Sequence, residues 1–106
     1  MTQHTDSTAV VQIAEENKVL AFGQASDMTP FAPDYLLTSI INNWGDYYTA
    51  RTKAVLDGSW FSTDTFGGMD VNMVVMGAFK NMPEQVKRSA KATTKALASG
   101  GVHPFV

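Results

Sequence analysis

Cysteine is absent from the 106 residues, so disulfides, thiolate metal sites and cysteine nucleophiles are all excluded. The lack of thiols leaves the compartment open, because such a chain is chemically safe in either redox environment. Charge is also sparse: 17% of residues are charged, with a formal net charge of −2 and a pI near 5.5. That balance gives no electrostatic reason to expect nucleic acid, which calls for a concentrated basic surface. No apolar run approaches the roughly 20 residues needed to span a bilayer. The basic, apolar and small-residue succession of a secretory signal does not open the chain. Histidine occurs only as His4 and His103, too few without cysteine or a spaced carboxylate motif to make a metal site. No cofactor motif is present either.

What is present is a folded composition, 44% hydrophobic, sized for one domain or a piece of one. Helical spacing of Val10, Ile13, Ala14 and Asn17 predicts a helix over Thr8 to Asn17, with Asp6, Ser7 or Thr8 as its cap. Val19-Leu20-Ala21-Phe22 is a short continuous apolar run, the mark of a strand buried on both faces. An irregular stretch with Pro30 and Pro33 follows, then a second strand from Tyr35 to Ile41. From about Asp46 the period becomes helical, with Tyr48, Thr52, Val55 and Leu56 as the stripe and Gly58 as a left-handed stop. Val71 to Met76 is a third strand. A last helix opens at Pro83-Glu84, buries Val86, Ala90, Thr93 and Leu97, and stops at Gly100-Gly101. The alternation implies an α/β fold with a mainly parallel sheet. The opening Thr2-Gln3-His4-Thr5-Asp6-Ser7 reads as the end of a strand already under way.

Three polar breaks sit at the carboxyl ends of these strands, where open α/β sheets bind small molecules. In the first, His4, Thr5 and Asp6 precede a helix, whose free amides and dipole favour polar ligand groups. A hydrolytic dyad of His4 and Asp6 is the weakest reading, since two loop residues without a serine partner do not make a triad. In the second, Asp27 either accepts hydrogen bonds from a ligand or caps a turn near Ser26, Thr29 and Pro30. In the third, Trp44 either stacks on a planar base, worth roughly 1–3 kcal/mol, or packs at a strand-to-helix corner. Asn42 and Asn43 read a base edge or cap the next helix. Gly67-Gly68 admits a close backbone approach to a ligand or a sharp turn. Lys87, Lys91 and Lys95, with Arg88, read as the solvated side of an amphipathic helix, and the six methionines as core filling. With no nucleophile arrangement, the pattern is that of a site that holds a ligand and does not transform it.

Taken in order, Gln3-His4-Thr5-Asp6-Ser7-Thr8, Phe22-Gly23-Gln24-Ala25-Ser26-Asp27-Met28, Leu37-Thr38-Ser39 and Asn43-Trp44-Gly45-Asp46-Tyr47-Tyr48 resemble one family. Val55-Leu56-Asp57-Gly58-Ser59-Trp60 and Phe66-Gly67-Gly68 continue the match. It is the basic membrane protein (BMP) group of ABC-transporter solute-binding proteins, related to the purine nucleoside receptor of spirochaetes. The resemblance implies a truncated type I periplasmic-binding-protein fold, matching the C-terminal third of longer, two-lobed members. Residues 1–27 and 70–106 would belong to the second lobe, and about 35–58 would cross to the first. It implies a periplasmic or cell-surface lipoprotein in the intact family, an ABC permease as partner, no enzymatic activity, and a purine-like ligand held between the lobes. The ligand contacts it implies are His4, Thr5, Asp6, Asp27, Asn42, Asn43, Trp44 and Gly68. Nucleoside-binding members carry a lysine near the place of Asn42, so a nucleobase is as well suited here as a nucleoside. The alternative is a self-associating structural fragment with no ligand of its own, pairing through an exposed sheet edge.

Overall fold

The structure, a computed structural model, describes residues 1–103 and 105. Pro104 and Val106, within the 70–106 segment assigned above to the second lobe, lie outside the described residues. The first helix, α1, spans Ala9–Glu16. Its buried face is Val11 and Ala14, one turn apart, whereas Ile13 is exposed, so the stripe is rotated from the expected one. The helix start is held by Ser7, whose Oγ accepts from Ala9 N at 3.2 Å. At its end Lys18 takes a left-handed conformation (φ 57°) and turns the chain into the sheet.

The first strand, β1, is Ala21–Ala25, displaced toward the polar break. Val19 and Leu20, expected inside, are exposed, because only one side of this edge is covered by α1. A 3₁₀ turn at Thr29–Phe31 leads to β2, Leu36–Asn42, which pairs in parallel with β1. The third strand, β3, is Val74–Met76 and runs antiparallel to β2, giving a mixed sheet of order β1-β2-β3. A run of valines suits either direction; the direction is set by where the long loop after residue 58 delivers the chain. The antiparallel course continues beyond β3. Gly77 N donates to Ser39 O at 2.8 Å, Thr38 Oγ1 donates to Gly77 O at 3.0 Å, and Lys80 N donates to Leu37 O at 2.8 Å. Asn81 closes the run by donating its amide to Pro33 O and Leu36 O.

Two contacts tie α1 to β2. Glu15 accepts from the main-chain N–H groups of Asp34 (3.2 Å) and Tyr35 (3.0 Å), so one carboxylate clamps the start of the strand. The core beneath is small: Val11, Ala14, Ala21, Met28, Ala32 and Leu36. Two methionines, Met28 and Met73, are buried, and the others lie nearer the surface.

The two remaining helices correct the expected stripes. Helix α2, Gly45–Asp57, ends at Gly58 with φ 76°, as its sequence predicts, yet buries no residue. Val55 is 61% exposed and Leu56 83%, because no described element packs over that face. Helix α3, Glu84–Ala98, also buries none; Val86, Ala90, Thr93 and Leu97 instead line an apolar groove of about 420 Å³ with Met69, Met76 and Phe79. The radius of gyration, 16.6 Å, exceeds the roughly 13 Å of a compact chain of this length. Among the described residues, no helix is long and apolar enough to cross a membrane.

Candidate functional site

The carboxyl ends of β1 and β2 lie side by side, as parallel pairing requires. A recess of about 330 Å³ opens there, lined by His4, Thr5, Asp6, Gln24, Ala25 and Asn42. The N-terminal residues reach it because they run along β1. Met1 hydrogen-bonds through its amino group to Leu20 O, and Phe22 N donates to Met1 O at 3.0 Å. Gln3 then steadies the following loop: its Oε1 accepts from Thr5 Oγ1 at 2.8 Å, and its Nε2 points to the sulfur of buried Met28 at 3.4 Å. Gln24 and Ala25 are half-buried, while His4, Thr5, Asp6 and Asn42 are exposed, so the recess is one open wall.

Between Gln24 and Ser26 the chain makes a tight three-residue turn. Ser26 N donates to Gln24 O at 2.8 Å, and Ala25 between them has φ 65°. A γ-turn of this hand is rare and strained for a residue with a side chain. It ends β1 abruptly at the mouth of the recess.

Four of the residues singled out from sequence, His4, Thr5, Asp6 and Asn42, therefore meet, and four stand apart from the recess. Asp27 is exposed and its Oδ1 accepts from Thr29 Oγ1 (2.6 Å) and Thr29 N (3.0 Å), the geometry of a turn cap. The Thr29 hydroxyl, then its N–H, and more weakly Lys80, hold this carboxyl below its ordinary pKa against a small opposing effect of burial. Asn43 donates its amide to Asn72 O at 2.9 Å and its main-chain N–H to Met73 O, joining β2 to the loop before β3. Neither asparagine caps α2; Trp44 occupies the N-cap position without a side-chain bond. The indole stacks on Tyr48 (centroids 6.0 Å, 27°) and meets Tyr47 edge-on (5.7 Å), with the Arg51 guanidinium 5.2 Å above the Tyr47 ring. Gly68 accepts at its carbonyl from Met73 N and Val74 N in the turn that starts β3, and at Gly67 an added Cβ would collide with Met73. Lys87 pairs with Glu84 at 2.9 Å on the solvent side of α3.

Gln24 and Ala25, not among the ligand contacts expected from sequence, also line the recess. Both stand in the polar break after Phe22, and their place at the end of β1 is the signal that points to them. Among the described residues no group of three His, Asp or Glu side chains is disposed to hold a metal ion.

Helices alternating with a mixed sheet of order β1-β2-β3 define an α/β architecture, and solved structures share it. The chain superposes on a transcriptional activator of the comK gene from Bacillus halodurans with TM-score 0.76 at 20% identity, covering 92% of this chain and 35% of that one. It superposes on a solute-binding protein of an ABC transporter system from Conexibacter woesei with TM-score 0.63 at 14% identity, covering 96% and 35%. The chain belongs to the Bmp family, described as ABC transporter substrate-binding protein PnrA-like, which it matches over residues 1–102. It is 50% identical over 105 residues to a purine-binding protein of Brucella abortus (strain 2308), covering 99% of this chain and 30% of that protein. It is 26% identical over 98 residues to a Haloferax volcanii protein, TsgA13, described as an ABC transporter glucose-binding protein, covering 92% and 25%. The chain thus spans under a third of the length of these two relatives.

Proposed function

We propose that this chain supplies one wall of the ligand cleft of an extracytoplasmic solute-binding protein that serves an ABC importer, and that the ligand is a purine nucleobase or a similar planar heterocycle. The observation that carries the reading is the recess at the ends of β1 and β2, where His4, Thr5, Asp6 and Asn42 converge. Family membership and the 50% identity to a purine-binding protein support the ligand class. The site residues hold and orient; no covalent step is assigned to them. In the intact protein two lobes close over the ligand, and closure is driven by the ligand's greater affinity for the closed form. The pairing of β2 with β1 supports grouping β2 with residues 1–27 and 70–106, leaving α2 as the segment that reaches the other lobe. The exposed face of α2 fits that role. Asp27, Trp44 and Gly68 stand apart from this recess, and the family match supports a place for them in further parts of the cleft in the intact protein, while Asn43 ties β2 to the loop before β3.

A single open wall cannot bury the 70–90% of ligand surface that pockets of this kind enclose. Isothermal titration of the chain with adenine and adenosine is therefore expected to give only weak, millimolar-range binding. Tight binding would overturn the partial-cleft reading, and preference for glucose over both would overturn the purine assignment. A second reading, self-association, is favoured by the exposure of Val55 and Leu56 on α2. Sedimentation velocity decides it: a monomer at all concentrations removes it.

A further inference from the structure

We infer that Gln24 and Asn42 form a pair of amide readers that select the edge of a nucleobase; this rests on the purine reading above and names the residues that give it specificity. Three observations converge. First, both line the same recess and come from adjacent parallel strands. Gln24 is in register with Ile40, and Asn42 is two residues further along β2, so the alternation of side chains puts Gln24 and Asn42 on one face of the sheet. Second, among the described residues neither side-chain amide has a hydrogen-bond partner. Asn17, Asn43 and Asn81 each spend theirs on a main-chain carbonyl, and the other amides that donate no bond, on Gln12, Asn72 and Gln85, do not line the recess. Third, the strained turn at Ala25 directly follows Gln24 and ends β1 at the recess, and backbone outliers of this kind cluster at ligand-binding sites.

The chemistry suits a base edge. A carboxamide presents a donor beside an acceptor in one plane, and it pairs with the adjacent amino group and ring nitrogen of adenine through two hydrogen bonds. A sugar ring offers hydroxyls but no planar edge that alternates donor and acceptor. Asp6 and His4 line the same recess and supply acceptors for a ring N–H that the amides leave unread.

The test is proton–nitrogen correlation NMR on the whole chain, titrated with adenine to its solubility limit, a method that registers millimolar binding. The side-chain amide signals of Gln24 and Asn42 are expected to shift while those of Asn43 and Asn81 stay in place. Gln24→Leu and Asn42→Leu should each weaken binding about tenfold. Gln24→Glu, nearly isosteric, should weaken it as well, with unchanged Asn81 signals reporting an intact fold. If adenine shifts other signals and these variants bind it unchanged, the amide-pair inference fails and the purine reading stands. If glucose shifts the recess signals and adenine does not, or if neither shifts any signal, the purine reading fails with it.

Discussion

The main-chain N–H of Met28 donates to Ser39 Oγ at 3.1 Å, and both residues are enclosed almost completely. This bond joins the loop after β1 to the middle of β2, and Gly23 lies against it. A Cβ on Gly23 would sit 3.0 Å from Ser39 Cβ and 3.1 Å from Met28 Cβ, and would overlap Ser39 Oγ.

Ser39→Ala removes the acceptor and leaves a buried N–H without a partner. Urea unfolding should show a loss of about 1–3 kcal/mol, the cost of an unmet buried donor. An unchanged midpoint would mean that water reaches Met28 N.

Gly23→Ala is expected to destabilise by about 1–3 kcal/mol, the usual penalty for overpacking a closed site. The double variant Gly23→Ala with Ser39→Ala should lose less than the sum of the two, since one change deletes the atom that the other strikes. Additive losses would show that backbone movement, and not the Oγ contact, sets the cost.

Glu15→Ala should lower stability by about 1–2 kcal/mol, because two N–H groups at the start of β2 lose a charged acceptor in a partly solvated place. Glu15→Gln retains one acceptor oxygen and should recover roughly half of that loss by the same accounting. Hydrogen exchange at Tyr35 N–H is the direct readout, rising in both variants.

Ala25→Gly should leave the fold equally stable or more stable by up to about 1 kcal/mol, since glycine adopts φ 65° freely. Ala25→Val should be clearly destabilising, because a β-branched residue is strongly disfavoured there. Thermal melts of the two variants, moving in opposite directions, check the turn geometry.

Asp27 sets a pH dependence with a definite sign. Its folded pKa lies below the ordinary 3.8, so its contribution is complete above that value and is lost as the pH falls through the folded value. Asp27→Asn should therefore flatten the acid limb of a stability profile below about pH 4, as the linkage relation requires, and leave the slope near neutrality unchanged. A profile with the same acid slope in both proteins would show that Thr29 does not hold the carboxylate in solution.

Much of this arrangement can be read from residue order. The helices ending at Gly58 and starting after Pro83 follow from glycine's tolerance of positive φ and proline's fit at a helix start. The second strand was legible from its apolar run between turn residues, and so was the place at strand ends of His4, Thr5, Asp6 and Asn42, which the structure gathers around one recess. The buried faces were not. Tyr48, Val55 and Leu56 have helical spacing whether or not anything covers them, and periodicity states only which side of a helix is apolar. The polar chemistry of Asp27 and Asn43 was equally visible, yet its use was not, because an Asp two residues before a Thr serves a turn cap as well as a ligand.

By itself, then, the sequence determined the class of fold, the family, and the polar strand ends that a ligand would meet, since each rests on local spacing and residue type. Only the tertiary structure decided the antiparallel direction of β3, the exposure of α2, and the meeting of Gln24 and Asn42 at one recess across two strands. Those depend on strand register and on which surfaces lie opposite one another, relations between distant residues that no local pattern encodes.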